Sequence, residues 1–366
     1  MRCYEEAQHK SVASVWCTVM RASRRLALYA RIQNAPITYR GLLTALQTGR
    51  AGLGAAANSS YAIFGGGHVL DKGYSDIASY SDAVDAYDTS LTYSKASALS
   101  SPRTGVKAAT VGNYVLFGGG YDASPITPAK TVDAYDNALT HSTPDALTNY
   151  SVYHAAAATS DYALIGGGMY SSVTAYNKSL TRSAPTELSA KRTYLAATRF
   201  GAIALFGGGL SSAAVDVYDN ALTRSTATAL SSSRSNLAAA SNASYALFGG
   251  GNSSNVVDAY DTSLTRATPT ALSAKAIHVA AASTDKYVVF SGGRVSDSAA
   301  GNMLVEAYDK SLTKIICKDM PLGRSEHAAA AIADTVIFAG GATRQTVSGS
   351  TYYGSSTNVY AYKVTN

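Results

Sequence analysis

Residues 230–272 read LSSSRSNLAAASNASYALFGGGNSSNVVDAYDTSLTRATPTAL, and this one unit decides the fold. It opens with Leu-x-x-x-Arg (Leu230 to Arg234) and passes to the Ala-rich run Ala238–Ala240. An apolar run follows, Tyr245–Phe248, which ends in Gly249-Gly250-Gly251. Then come the alternating Val257–Asp261 and the pair Leu264-Thr265. The glycine cluster also stands at Gly65-Gly66-Gly67, Gly118-Gly119-Gly120, Gly166-Gly167-Gly168 and Gly207-Gly208-Gly209, with weaker copies at Ser291-Gly292-Gly293 and Ala339-Gly340-Gly341. Successive clusters start 53, 48, 41, 42, 42 and 48 residues apart. The tyrosine marker keeps pace, from Ala86-Tyr87-Asp88 through Val217-Tyr218-Asp219 to Ala361-Tyr362-Lys363. The chain from residue 37 to 366 is therefore one unit written seven times.

Each unit holds four short strand patterns and no apolar stripe long enough for a helix. Strand a is the Ala-rich run, b ends in glycines, c carries the tyrosine and d follows Leu-Thr. Asp or Asn after the tyrosine starts the c–d turn, because its side chain bonds to backbone two residues on. Four strands at a period of about 40–50 residues predict blades of a propeller. Alanine suits inner strands that converge on an axis, and glycine suits a strand end where backbones approach closely. The expectation is an all-β, seven-bladed propeller with four antiparallel strands per blade.

The glycines, the tyrosine after them and the Arg before an Ala-rich strand resemble the kelch repeat family, over residues 37–366. One feature departs from it: the Trp usual in that repeat is replaced by residues such as Thr92, Thr223 or Thr265. Packing between blades must then rely on Leu and Tyr. The last unit stops at strand c, Val359–Tyr362, while Ile37–Leu46 matches strand d. The N-terminal stretch is thus expected to complete the last blade, pairing Thr38–Leu46 with Asn358–Tyr362, and to leave no open sheet edge.

The first 36 residues differ from the rest. Arg2, Lys10, Arg21, Arg24, Arg25 and Arg31 face only Glu5 and Glu6, within a chain of net charge +6. Val12, Val15, Trp16, Val19, Leu26 and Tyr29 fall near helical spacing, so the segment reads as an N-terminal extension, helical or disordered. It makes a poor signal peptide, since Arg21, Arg24 and Arg25 interrupt any apolar core. No run of some 18 apolar residues predicts a transmembrane helix. Three scattered Cys give no disulfide or zinc framework. A charged fraction of 15% and 26 Tyr exclude a disordered chain. No nucleic-acid partner is expected, and the propeller should be monomeric.

Function is sought where the repeats differ. The b–c segments span 17 residues in blade 1 (His68–Val84), 12 in blade 2 (Tyr121–Val132), then 5, 6 and 6, and again 12 in blade 6 (Arg294–Val305) and 18 in blade 7 (Ala342–Val359). Blades 6, 7, 1 and 2 are consecutive in a ring, so the long loops form one arc on one face, and loops on a rigid scaffold carry binding residues. The candidate ligand-binding residues are His68, Lys72, Tyr74, Asp76, Tyr80, Tyr121, Asp122, Arg294, Arg344, Tyr352 and Tyr353. Tyrosine supplies large amphipathic contact at low entropy cost. Five units also place Arg before strand a: Arg50, Arg103, Arg192, Arg234 and Arg324, while Ser151 and Ala276 break the series. Such arginines at a channel mouth would either take ligand carboxylates, as the kelch resemblance permits, or bond backbone carbonyls between blades.

Catalytic motifs are absent from the sequence. The six His show no ligand spacing, and His154 and His327 occupy a place that Val106, Leu195 and Leu237 fill elsewhere, so they read as packing residues. Galactose oxidase joins the kelch fold to a copper site of Tyr, His and a crosslinked Cys; Cys317 sits on an outer strand with no such set around it. The glycine triplets are followed by no helix and are not phosphate loops. Sequons at Asn58, Asn149, Asn242 and Asn252 read as turn residues. No metal or cofactor is expected. The expected function is non-catalytic recognition of a protein or surface glycan by the long b–c loops. The alternative is a carbohydrate-active propeller enzyme, mutarotase- or galactose oxidase-like, acting in the central funnel.

Overall fold

The computed structural model describes residues 36–71, 77–123, 126–296, 300–347 and 350–365. Of the N-terminal extension only Pro36 falls within them. The described residues are all-β, and no helix long and apolar enough to cross a membrane occurs among them. Seven four-stranded antiparallel sheets form there, as in a β-propeller. In the unit quoted above, strands a to d are Ala238–Ser241, Ala246–Gly249, Val257–Tyr260 and Arg266–Ala267. Their register sets Ala238 opposite Gly249 and Gly249 opposite Val257.

The inner strands stand side by side. Gly54–Ala57 packs along Lys107–Val111, and the series continues through Ala155–Ala158, Ala196–Phe200, Ala238–Ser241 and Ala280–Ser283 to Ala328–Ile332, which packs along Gly54–Ala57. They enclose a cavity of about 860 Å³ walled largely by alanines, among them Ala56, Ala156, Ala239 and Ala330. The last sheet combines Ala328–Ile332, Thr335–Ala339 and Val359–Val364 with Ile37–Leu42. Ile37 pairs with Val364 and Leu42 with Tyr360 around a bulge at Gly41, whose φ of 113° suits glycine. The N-terminal strand therefore does add to strand c of the last unit. It is shorter than expected, and beyond it Leu43 N–H and Leu46 N–H still donate to Val359 O and Thr357 O.

Leucine and tyrosine carry the packing between sheets. The cluster of Leu164, Val173 and Ala175 from the third unit with Ala204, Phe206 and Tyr218 from the fourth is closed by Leu188 and Leu195 from the connecting segment. Tyr218 Oη donates to Thr186 O at 2.8 Å and Tyr260 Oη to Thr228 O at 2.7 Å, so each buried phenol ties its sheet to the segment before it. Burial raises the pKa of both phenols, which stay protonated. The Leu of each Leu-Thr pair adopts a left-handed backbone, as at Leu222 (φ 61°) and Leu264 (φ 60°), unusual for a bulky residue. Its side chain packs on the same inter-sheet clusters, which offsets the strain. The turn Asp behaves as expected: Asp261 Oδ1 accepts from Ser263 N–H and Thr265 N–H, both at 2.9 Å. Asn58 and Asn242 likewise accept from backbone two and three residues on.

The arginines are not a channel-mouth ring. Arg50, Arg103, Arg192, Arg234 and Arg324 are all fully buried, and the hydrogen bonds of their side chains stay within their own unit rather than joining blades. Arg234 donates to Gly250 O (2.7 Å) and Val256 O (2.8 Å) and pairs with Asp258. Arg50 pairs with Asp85 at 2.7 Å, and Arg103 and Arg192 pair with Asp133 and Asp216. Each guanidinium is committed to a buried partner, so none is free to hold a ligand carboxylate. The carboxylate also takes a backbone donor from the connecting segment, as Asp258 does from Ser231 N–H at 3.1 Å. Where Arg is lost so is Asp: Ser151 goes with Thr174 and Ala276 with Glu306, the latter neutralised by Lys314. Arg324 faces the ring of Tyr360 instead, 4.3 Å from its centroid. His154 and His327 are buried as expected, bonded to Gly118 O (3.0 Å) and Ser291 Oγ (2.8 Å).

Candidate site at the axial mouth

Three of the long b–c segments are hairpins rather than irregular loops. His68–Leu70 pairs with Ile77–Tyr80, Tyr121–Ala123 with Ile126–Pro128, and Ala342–Val347 with Ser350–Ser355. They adjoin: Leu70 N–H donates to Ser355 Oγ at 2.9 Å across 285 residues, and Tyr121–Ala123 lies near Ile77–Tyr80. Lys72, Tyr74 and Asp76 lie outside the described residues. Arg344 is exposed and stands opposite Tyr353 in its hairpin, beside half-buried Tyr352. Asp122 accepts from Ser101 Oγ at 2.7 Å.

Beneath these hairpins the chain makes a feature the sequence reading missed. Two residues after each Arg position, seven equivalent residues take positive φ: Gly52, Gly105, Tyr153, Tyr194, Asn236, His278 and Glu326, at 54–69°. Five of the seven steps from one to the next are backbone hydrogen bonds. Gly105 N–H donates to Gly52 O, Tyr194 N–H to Tyr153 O, Asn236 N–H to Tyr194 O and His278 N–H to Asn236 O, at 2.8–3.0 Å. Gly52 N–H donates to Glu326 O at 2.9 Å, linking the first unit to the last. Short bridges tie this circle to the b–c segments, Ala51 with His68 and Ile277 with Arg294. Five non-glycine residues in this conformation store strain of roughly 1–3 kcal/mol each, a feature that concentrates at binding sites.

The circle is chemically lopsided. On one side Tyr153 and Tyr194 lie with ring centroids 4.2 Å apart, and Tyr121 meets Tyr153 edge-on at 5.7 Å. Tyr153 is 38% exposed, so part of this aromatic cluster is open to solvent. Burial, with Tyr153 close by, raises the pKa of Tyr80 and pushes Tyr121 to about 12, leaving both phenols as hydrogen-bond donors at neutral pH. On the other side Glu326 accepts from Arg294 at 2.8 Å and lies 3.8 Å from His68. Burial opposes the Glu326 charge, but His278, Arg294 and His68 outweigh it and hold the pKa below the usual range. Burial lowers the pKa of His68 against the pull of Glu326, and its Nδ1 is bonded to Thr104 Oγ1 at 2.7 Å. Of the residues anticipated from sequence, His68, Tyr80, Tyr121 and Arg294 thus converge on this mouth. Tyr153, Tyr194, Asn236, His278 and Glu326 were missed. The signal was one repeat position at which the residue type changes from unit to unit.

Among the described residues no group of three or more His, Cys, Asp or Glu could hold a metal. Cys317 is a buried free thiol with its pKa raised to about 12 by burial, and no copper set surrounds it. Comparison with protein-family models and with curated proteins gives no match, so the fold and the lopsided mouth stand on this chain's own residues.

Proposed function

We propose that the chain is a kelch-like, seven-bladed propeller closed by its N-terminal outer strand, and that it is a non-catalytic binding scaffold for a protein or a surface glycan. The ligand sits on the face of the b–c segments, where the hairpins of units 7, 1 and 2 surround the axial mouth. One observation carries the reading. Four tyrosines, Tyr80, Tyr121, Tyr153 and Tyr194, gather on one side of the axial mouth, and the Glu326 carboxylate stands on the other. Exposed aromatic faces with polar groups at their edge favour the glycan of the two ligand classes, because a sugar ring offers both a C–H face and hydroxyls. A carbohydrate-active enzyme, mutarotase- or galactose oxidase-like, is the second reading, and the closeness of Glu326 to His68 is what favours it.

The test is a glycan array with three proteins: wild type, a variant whose residues 68–83 are shortened to the length of Leu210–Ala214, and Tyr170→Ala on the low side of the face. Surface loop shortening is thermodynamically mild, so the fold should persist. Binding should be lost in the loop variant and kept in Tyr170→Ala. Equal loss in both, or a ligand bound at the opposite face, refutes the reading.

A further inference from the structure

Between the aromatic and the charged sides the circle has a gap. Gly52 and Gly105 stand there, where the other five units carry side chains. The Gly52 side is filled: a Cβ there would meet Thr104 Oγ1 at 2.8 Å and His68 Nδ1 at 3.0 Å. The Gly105 side is open, with no atom within 4 Å of where its Cβ would stand. Two residues on, Lys107 begins an inner strand. The same place in the other units is Gly54, Ala155, Ala196, Ala238, Ala280 or Ala328. Lys107 is exposed, whereas those six equivalents are buried. It is close enough to Glu326 and His154 to act on both electrostatically, yet no hydrogen bond or ion pair to its ammonium occurs among the described residues. Desolvation lowers its pKa despite the nearby Glu326, so an anion brought there would add a second counter-charge.

We propose that the notch at Gly105 is the subsite for the carboxylate of an acidic saccharide. Lys107 binds the carboxylate, the tyrosines Tyr121 and Tyr153 face the sugar ring, and Glu326 with His68 meets hydroxyls from the far side. This rests on the proposed glycan-binding role and names the class of glycan. A neutral sugar would leave the Lys107 ammonium without an anion. A simple anion would leave the exposed Tyr153 face uncovered.

The substitutions that test it are already tolerated by the repeat. Lys107→Ala copies five other units, and Gly105→Asn copies Asn236, which holds the same positive φ. Calorimetry would compare methyl glucuronide, methyl glucoside and N-acetylglutamate amide on the full chain, with thermal melts checking the fold. Wild type should bind the glucuronide at least tenfold tighter than the glucoside or the glutamate amide. Lys107→Ala should remove that preference by weakening the glucuronide alone, and Gly105→Asn should weaken both sugars. No glucuronide preference in wild type, or one that survives Lys107→Ala, overturns the subsite. So does a glutamate amide bound as tightly as the glucuronide, which would mark a peptide carboxylate site. If array ligands still bind the b–c face but ignore both substitutions, the subsite falls while the binding role stands. If the array shows no ligand for this face, the role itself falls.

Discussion

Removing one partner of the Arg234–Asp258 pair should be far worse than removing both. Both side chains are buried to 1% exposure or less. Arg234→Ala would leave the Asp258 carboxylate in the sheet without the Arg234 counter-charge and Gly250 O without its donor, while Val256 O would keep only Gly250 N–H. Losing one member of a buried pair costs about 3–5 kcal/mol, because the remaining charge is neither hydrated nor neutralised. Asp258→Ala should cost about as much, for it strands the guanidinium and leaves Ser231 N–H without its acceptor. The third unit supplies the neutral alternative. There Ser151 replaces Arg and Thr174 replaces Asp, and Thr174 Oγ1 still accepts from Thr148 N–H at 3.1 Å. Arg234→Ser with Asp258→Thr should therefore cost only the lost neutral hydrogen bonds, about 1–3 kcal/mol at roughly 1 kcal/mol each. Urea unfolding followed by far-ultraviolet circular dichroism measures all four proteins. The expected order places the double variant between wild type and either single one. Single losses below about 1 kcal/mol, or a double loss equal to the sum of the singles, would refute the claim that this pair acts as a neutralised unit.

Three further outcomes follow from the same geometry. Deleting residues 1–36 should leave stability nearly unchanged, whereas deleting 1–47 removes the strand paired with Val359–Val364 and should lower the melting temperature sharply; equal melting temperatures contradict the pairing. Ala238→Leu should cost about 1–3 kcal/mol by overpacking the apolar cluster with Leu247 and Val288, while Ala239→Leu, on the channel wall, should cost less; equal tolerance would mean the alternation is misread. Burial first, then Lys107, lowers the pKa of His154 from 6.5 to about 3. The unfolded chain then binds the extra proton, so stability is complete above about pH 6.5 and falls as pH drops toward 3. His154→Leu, the residue found at Leu195 and Leu237, should flatten this acid limb in pH-dependent melts, and an unchanged limb would rule the histidine out as its source.

The repeat itself was legible because its parts obey local rules. Glycines at the end of strand b, Asp after the tyrosine and the alternating Val-Asp-Ala-Tyr each state a local conformation, and their recurrence states the unit. The outer strand from Ile37 was legible for the same reason, since its pattern is that of strand d. The Arg–Asp pairing was present in the sequence too, as two positions that change together at Ser151 with Thr174 and at Ala276 with Glu306, but it shows only when those columns are compared. The candidate site was not legible in this way. Periodicity reports what the units share, whereas the axial mouth is made of what they do not share. Tyr153, Tyr194, His278 and Glu326 each look like ordinary loop residues, and Tyr and Glu do not favour a left-handed backbone on their own. That conformation arises where the inner strands converge and five of the seven N–H groups donate to the carbonyl of the neighbouring unit. Tertiary structure alone therefore brings residues more than 40 positions apart into one circle, and it leaves the open notch at Gly105 beside Lys107.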